Sequence, residues 1–134
     1  MAHLIVEYSG NLEQRLYIQS LIDHLHRAAA GTGVFPLKGI RTRGAIRDRY
    51  RIADGHDANG FIHVIARIGQ GRSPDVQQRA SEALFLALST FLDSYYKENP
   101  LAISLEMQEI NSLTSHKQNN LPAWIEKRGS SSNE

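Results

Sequence analysis

The chain has 134 residues, 41% hydrophobic and 22% charged, with a formal net charge of +1 and no cysteine. That length predicts one domain with a real core, and the composition is that of a soluble globular protein rather than a disordered one. Near-neutral charge gives no general pull toward nucleic acid or anionic membrane, and the lack of cysteine excludes disulfides, thiolate metal sites and cysteine nucleophiles.

The first predicted element is a strand over His3 to Tyr8, where Leu4, Val6 and Tyr8 alternate with His3, Ile5 and Glu7. Asn11 followed by Gln14 has capping-box spacing, and Leu12, Leu16, Leu21, Ile22, Leu25, Ala28 and Ala29 recur at helical spacing until Gly31 and Gly33. Lys38 to Ile52 is predicted extended, with Ile40, Thr42 and Ile46 on one face and Arg41, Arg43 and Arg47 on the other. Asp54-Gly55 is a turn signal, and Phe61 to Ile68 is a β-rich return. Ser73-Pro74-Asp75 opens a second helix with an N-cap serine, a proline in the first turn and an acid at the positive end of the dipole. Its apolar stripe runs to Tyr96, Pro100 breaks it, and Leu101 to Ile110 alternates as a last strand.

Strand–helix–strand thus occurs twice. Two crossovers of this kind predict an α+β fold, a β-α-β/β-α-β pseudo-repeat with a four-stranded sheet and both helices on one face. The second sheet face then needs cover, and another copy of the chain is the simplest cover. The ordered domain is expected over 1–128, with a disordered polar tail over 129–134. No basic leader with an apolar stretch, and no apolar run near ~20 residues, points to secretion or a membrane span, so a cytoplasmic protein without membrane or nucleic-acid partners is expected.

Chemistry-bearing residues are few. Arg41, Arg43, Arg47, Arg49 and Arg51 crowd one segment. A charged strand face explains them blandly, whereas guanidinium forks that bind carboxylates in bidentate fashion explain them functionally. Arg41 and Arg43, two apart, could aim two forks at one cavity. Gly69-Gln70-Gly71-Arg72-Ser73 joins a strand to a helix, but Pro74 stands where a dinucleotide fingerprint needs its third glycine, and no Walker lysine follows. Arg72 remains, a cation where backbone amides already favour an anion. The histidines lack metal-ligand spacing, so no metal or cofactor is expected. No Gly-x-Ser-x-Gly elbow occurs either, and Glu106 and Glu109 fall on opposite sides of their strand. The residues alone offer anion-binding arginines and no obvious side-chain base.

One set of landmarks goes further. Ala2-His3-Leu4-Ile5-Val6-Glu7-Tyr8, Gly33-Val34-Phe35-Pro36-Leu37, Gly39-Ile40-Arg41-Thr42-Arg43, Ala53-Asp54-Gly55, Gly71-Arg72-Ser73 and Lys117-Gln118-Asn119-Asn120 follow in order from His3 to about Ile125. Together they resemble the 5-carboxymethyl-2-hydroxymuconate isomerase family of the tautomerase superfamily. The resemblance implies a homotrimer and a cofactor-independent isomerase of aromatic catabolism acting on a small, multiply carboxylated dienol. In that family the amine of an N-terminal proline moves the proton while arginines hold the carboxylates. By match of motif, Arg41 and Arg72 are the first choices for substrate binding and Arg43 the second.

The departure is Ala2, which stands in the proline's place. Methionine aminopeptidases act on chains with a small second residue, so removal of Met1 would expose Ala2 as a primary amine, unperturbed pKa ~7.7–8.0. Ala2 is therefore the expected catalytic residue. A trimeric homologue that binds a dicarboxylate without catalysis is the alternative, and an imine-forming enzyme using the primary amine is a third.

Overall fold

The computed structural model describes residues 1–132. Its four-stranded sheet comprises β1 (Ala2–Ser9), β2 (Ile40–Arg47), β3 (Gly60–Ile68) and β4 (Leu101–Glu109), in the spatial order β2-β1-β3-β4. β1 runs parallel to β2, β3 runs parallel to β4, and the two halves meet at the antiparallel β1–β3 pair. Helix α1 (Ile18–Gly31) makes the first crossover and α2 (Pro74–Phe91) the second, followed by the short α3 (Asp93–Glu98). The predicted pseudo-repeat is therefore the observed one.

Strand alternation sets the layers. Ala2, Leu4, Val6 and Tyr8 of β1 and Ile62, Val64, Ala66 and Ile68 of β3 are buried against Leu21, Leu25 and Ala29 of α1 and Ala80, Leu84 and Leu88 of α2. The opposite face carries His3, Ile5, Glu7, Phe61, His63, Ile65 and Arg67, and among the described residues no helix core packs on it; Ala102, Ser104, Glu106 and Gln108 of β4 are exposed there. Both helices thus lie on one face. Each fully buried Leu, Ile or Val on that face contributes roughly 1.5–3 kcal/mol through lost apolar exposure.

Element ends depart from the sequence reading. α1 begins at Ile18 and not at Asn11. Asn11 instead accepts from the Ser9 hydroxyl and donates to the Asp57 and Asn59 carbonyls, so its side chain is committed to a tertiary tie. β2 ends at Arg47 rather than Ile52, because β1, its sheet partner among the described strands, ends at the paired Ser9. Arg49 and Arg51 consequently leave the strand. The second helix breaks at Leu92, whose backbone (φ −91, ψ 0) separates α2 from α3.

A last helix, α4 (Leu121–Ser132), was not foreseen. Asn119 Oδ1 accepts from the Leu121 N–H, and Pro122 fits a first turn that needs few donors. Lys38 and Glu126 link it to the 3-10 turn at Leu37–Gly39. The boundary expected after residue 128 falls inside α4, since a helix once begun gains a hydrogen bond with each added residue. Residues 133 and 134 of the expected tail lie outside the described residues. No helix among the described residues is long and apolar enough to cross a membrane.

Candidate active site at the start of the first strand

The fold brings three remote segments around Met1. β1 occupies the middle of the sheet, so its first residue lies between the approach to β2 and the exit from β3. Ala2 pairs with Ile40 on one side and Ile68 on the other and is fully buried. The Gly69 N–H donates to the Met1 carbonyl at 3.3 Å. Gly39 lies on the other side, where an added Cβ would come within 3.4 Å of Met1 Cα. After β4 the chain folds back over the same end. Ile110 N–H donates to the Ile68 carbonyl, and Gln70 Oε1 accepts from both the backbone and the hydroxyl of Ser112.

Two cavities border Met1. One, about 150 Å³, is lined by Met1, Gly69, Gln70, Ile110, Ser112, Ser115 and Lys117. The other, about 420 Å³, is lined by Met1, Pro36, Lys38, Gly39, Lys117, Asn119 and Pro122. Met1 and Lys117 belong to both walls. A larger, more open cavity of about 820 Å³ lies between α2 and β4, but its lining has no basic side chain to meet a carboxylate.

Arg72 is held in place by segments that read as mere landmarks in the sequence. Its Nη1 donates to the Gly69 carbonyl and its Nη2 to the Val34 carbonyl, each at 3.2 Å, with the guanidinium carbon 5.0 Å from the centroid of the Phe35 ring. Phe35 is buried, so the cation rests on a fixed aromatic face. Ser73 caps α2 by accepting from the Val76 N–H, and Gln77 donates to the Arg72 carbonyl. Arg41 follows Ile40 into β2, with Nη1 directed to the Gly39 carbonyl at 3.4 Å.

These positions act on the chain's own amine. The Met1 ammonium has its pKa lowered from the usual 8.0, first by burial, then by the positive charges of Arg72, Lys117 and Arg41. Burial and like charge both disfavour the protonated form, so the neutral, proton-accepting form gains. Such an amine accepts a proton less tightly than an ordinary terminus and is free as a base over a wider pH range, with cations acting on it that could also attract an anion. The landmark Ala53-Asp54-Gly55, by contrast, forms a turn elsewhere: Ala53 and Gly55 have φ of 52 and 84, and Asp54 accepts from His56 and Asn59.

Arg41 and Arg72 therefore act on the amine through their charge, although neither is among the residues lining the two cavities at Met1, and Ala2 is the next residue in. Arg43 goes elsewhere. It donates from Nη1 to His3 Nδ1 at 3.1 Å on the uncovered sheet face. The two forks expected to share one cavity are split, because Arg41 folds back to the strand end while Arg43 reaches across to β1. Lys117 is the residue that sequence reasoning left without a role. It appeared only as part of a landmark, and no local pattern shows that a loop after β4 returns to residue 1.

Residues 2–125 match the family described as 5-carboxymethyl-2-hydroxymuconate isomerase. The 5-carboxymethyl-2-hydroxymuconate Delta-isomerase of Escherichia coli is 36% identical over 123 residues, 92% of this chain and 98% of that one. A crystal structure of a 5-carboxymethyl-2-hydroxymuconate delta-isomerase superposes with a TM-score of 0.86 at 28% identity, covering 93% of each chain. That of a 5-carboxymethyl-2-hydroxymuconate isomerase from Deinococcus radiodurans R1 gives 0.84 at 30% identity, over 92% of this chain and 93% of the other. Fold and coverage of nearly the whole length agree with these relatives, and the chain belongs to the 5-carboxymethyl-2-hydroxymuconate isomerase family.

Proposed function

We propose that this chain is a cofactor-independent isomerase that moves a double bond in a multiply carboxylated, muconate-type dienol. The base is the amine of Ala2, exposed by removal of Met1. The observation that carries the reading is the setting at the head of β1, where burial first and then the charges of Arg72, Lys117 and Arg41 lower the pKa of the Met1 amine, a setting that the Ala2 amine, one residue further in, takes over once Met1 is removed. Removing Met1 takes away a wall common to both flanking cavities and leaves the new terminus one residue further in.

In the proposed step the neutral amine accepts the enol hydroxyl proton. The electron pair of the broken O–H bond forms the ketone, the conjugated double bonds shift along the chain, and the ammonium returns the proton to a carbon further on. Arg72 and Arg41 hold carboxylates and draw the transient negative charge toward themselves. No net proton or electron is exchanged. A primary amine is aimed less rigidly than a proline ring nitrogen, so Ala2→Pro should raise kcat/KM, by on the order of 10²-fold. The uncovered sheet face supports a homotrimer, in which copies of the chain cover one another's sheets.

The test is an ultraviolet assay of ketonisation and isomerisation on a 2-hydroxymuconate-type substrate, with the N-terminal residue established by intact mass. Turnover above buffer by the Met1-free chain, and little by a Met1-retaining one, is expected. Absence of turnover from the Met1-free chain and from Ala2→Pro alike would sink the isomerase reading; saturable ligand binding in that case would make the protein a carboxylate binder.

A further inference from the structure

We propose that the cleft bounded by His3, Arg43 and Arg67 on the uncovered sheet face is a second binding site, taking a carboxylate group. The cleft measures about 360 Å³ and is completed by Ile5, Ile110, Asn111, Thr114 and Ser115. It is distinct from the two cavities at Met1, although Ile110 and Ser115 form a wall shared with the smaller one.

Strand register makes this cluster. His3 is opposite Arg41 in β2 and Arg67 in β3, so one row across the sheet reads Arg41, His3, Arg67. Ile5 is opposite Arg43, one pleat along on the same face. Like charges in adjacent strands repel unless an anion comes between them. The nearby acids are already engaged: Glu7 accepts from Arg47 at 2.8 Å, and Glu106 lies 2.9 Å from His63 Nε2. Among the described residues no carboxylate lies within 4.0 Å of Arg43 or Arg67. Two guanidinium forks without an internal acid are a demand for an external one.

The histidine fits that demand. Arginine can only donate, so His3 Nδ1, 3.1 Å from Arg43, is an acceptor and the ring proton is on Nε2. Among the described residues that N–H has only the Met1 sulfur, 3.3 Å away, as its partner. Loss of Met1 would leave it free to donate to a carboxylate. Burial, then Arg43, Arg41, Arg67 and the terminal amine, lowers the His3 pKa below 6.5, which keeps the ring neutral. A bound anion opposes that field. In the trimer proposed above this face turns inward, and several such clefts brought together would need compensating charge still more.

The probe is malonate, titrated at constant ionic strength against chloride while the histidine ring signals are followed by NMR. His3→Gln identifies the His3 signals by their absence. Malonate should shift them saturably and raise the His3 pKa. Arg67→Gln should weaken that binding by on the order of tenfold or more, Arg67→Lys less, and Arg72→Gln little. The proposal is overturned if chloride reproduces the shift, if His3 does not respond, or if Arg72→Gln abolishes the response while Arg67→Gln does not. If the site receives a remote arm of the isomerised substrate, Arg67→Gln raises KM for a substrate carrying that extra carboxylate and spares one lacking it. If it receives a separate acid, malonate binds without competing with substrate. Malonate binding requires no turnover, so a failed isomerase assay leaves this test intact.

Discussion

At the scale of single residues, the proposed chemistry depends on charges acting on one amine. Arg72 makes the largest charge contribution to lowering the Met1 amine pKa, ahead of Lys117 and Arg41. Removing that positive charge lets the amine hold its proton to higher pH. In the Met1-free chain, the acid limb of kcat/KM belongs to the Ala2 amine under the proposed mechanism. Arg72→Gln should therefore move this limb upward, toward the ordinary 8.0 of a terminal amine, and also raise KM. A pH–rate profile checks it; a raised KM with an unmoved limb would leave Arg72 as a substrate-holding group only. The Arg72 motif was visible as Gly71-Arg72-Ser73, but its support was not. Val34 and Phe35, 38 and 37 positions earlier in the chain, supply the carbonyl and the ring that hold the guanidinium.

At the scale of elements, the interiors of strands and helices followed their periodicity and the ends followed their neighbours. Alternation in β1 and β3 and the stripes of α1 and α2 name nearly the whole core. The ends depended on partners: β2 stops where β1 stops, and Asn11 serves Asp57 and Asn59 instead of a helix. Gly60, at the start of β3, shows how close that packing is. An added Cβ there would be 2.9 Å from Leu12 Cδ2, and Leu12 is fully buried. Gly60→Ala should destabilise the fold by about 1–3 kcal/mol, because Leu12 must leave its rotamer or the strand must shift. Chemical denaturation measures the loss; an unchanged midpoint would mean that the Leu12 pocket yields without strain.

At the scale of the whole molecule, α1 and α2 pack on one sheet face and, among the described residues, no helix packs on the other. A mixed face of Ile5, Phe61 and Ile65 beside Glu7, His63 and several arginines suits self-association better than open solvent. Sedimentation equilibrium should give a mass three times that of the 15.0 kDa chain. Ile65→Asp, at the middle of this face and opposite Ile5, should shift the distribution toward monomer while leaving the helix-covered core in place. A wild-type chain that sediments as a monomer would remove the trimer from the proposal.

The sequence by itself determined the pseudo-repeat, the buried face of each strand, the capped start of α2 and the family, since all of these rest on local periodicity, capping chemistry and motifs in order. It also identified Arg41 and Arg72 as residues with charge to offer. Only the tertiary structure decided that Arg43 parts from them and that Lys117 joins them, because both outcomes depend on register and on where a loop returns. The same holds for α4, whose short and weakly patterned segment gives little local signal of a helix. Position 2 lies between these cases. Its identity is plain in the chain, and its chemical meaning comes from the cations that the folded sheet gathers around the first residue.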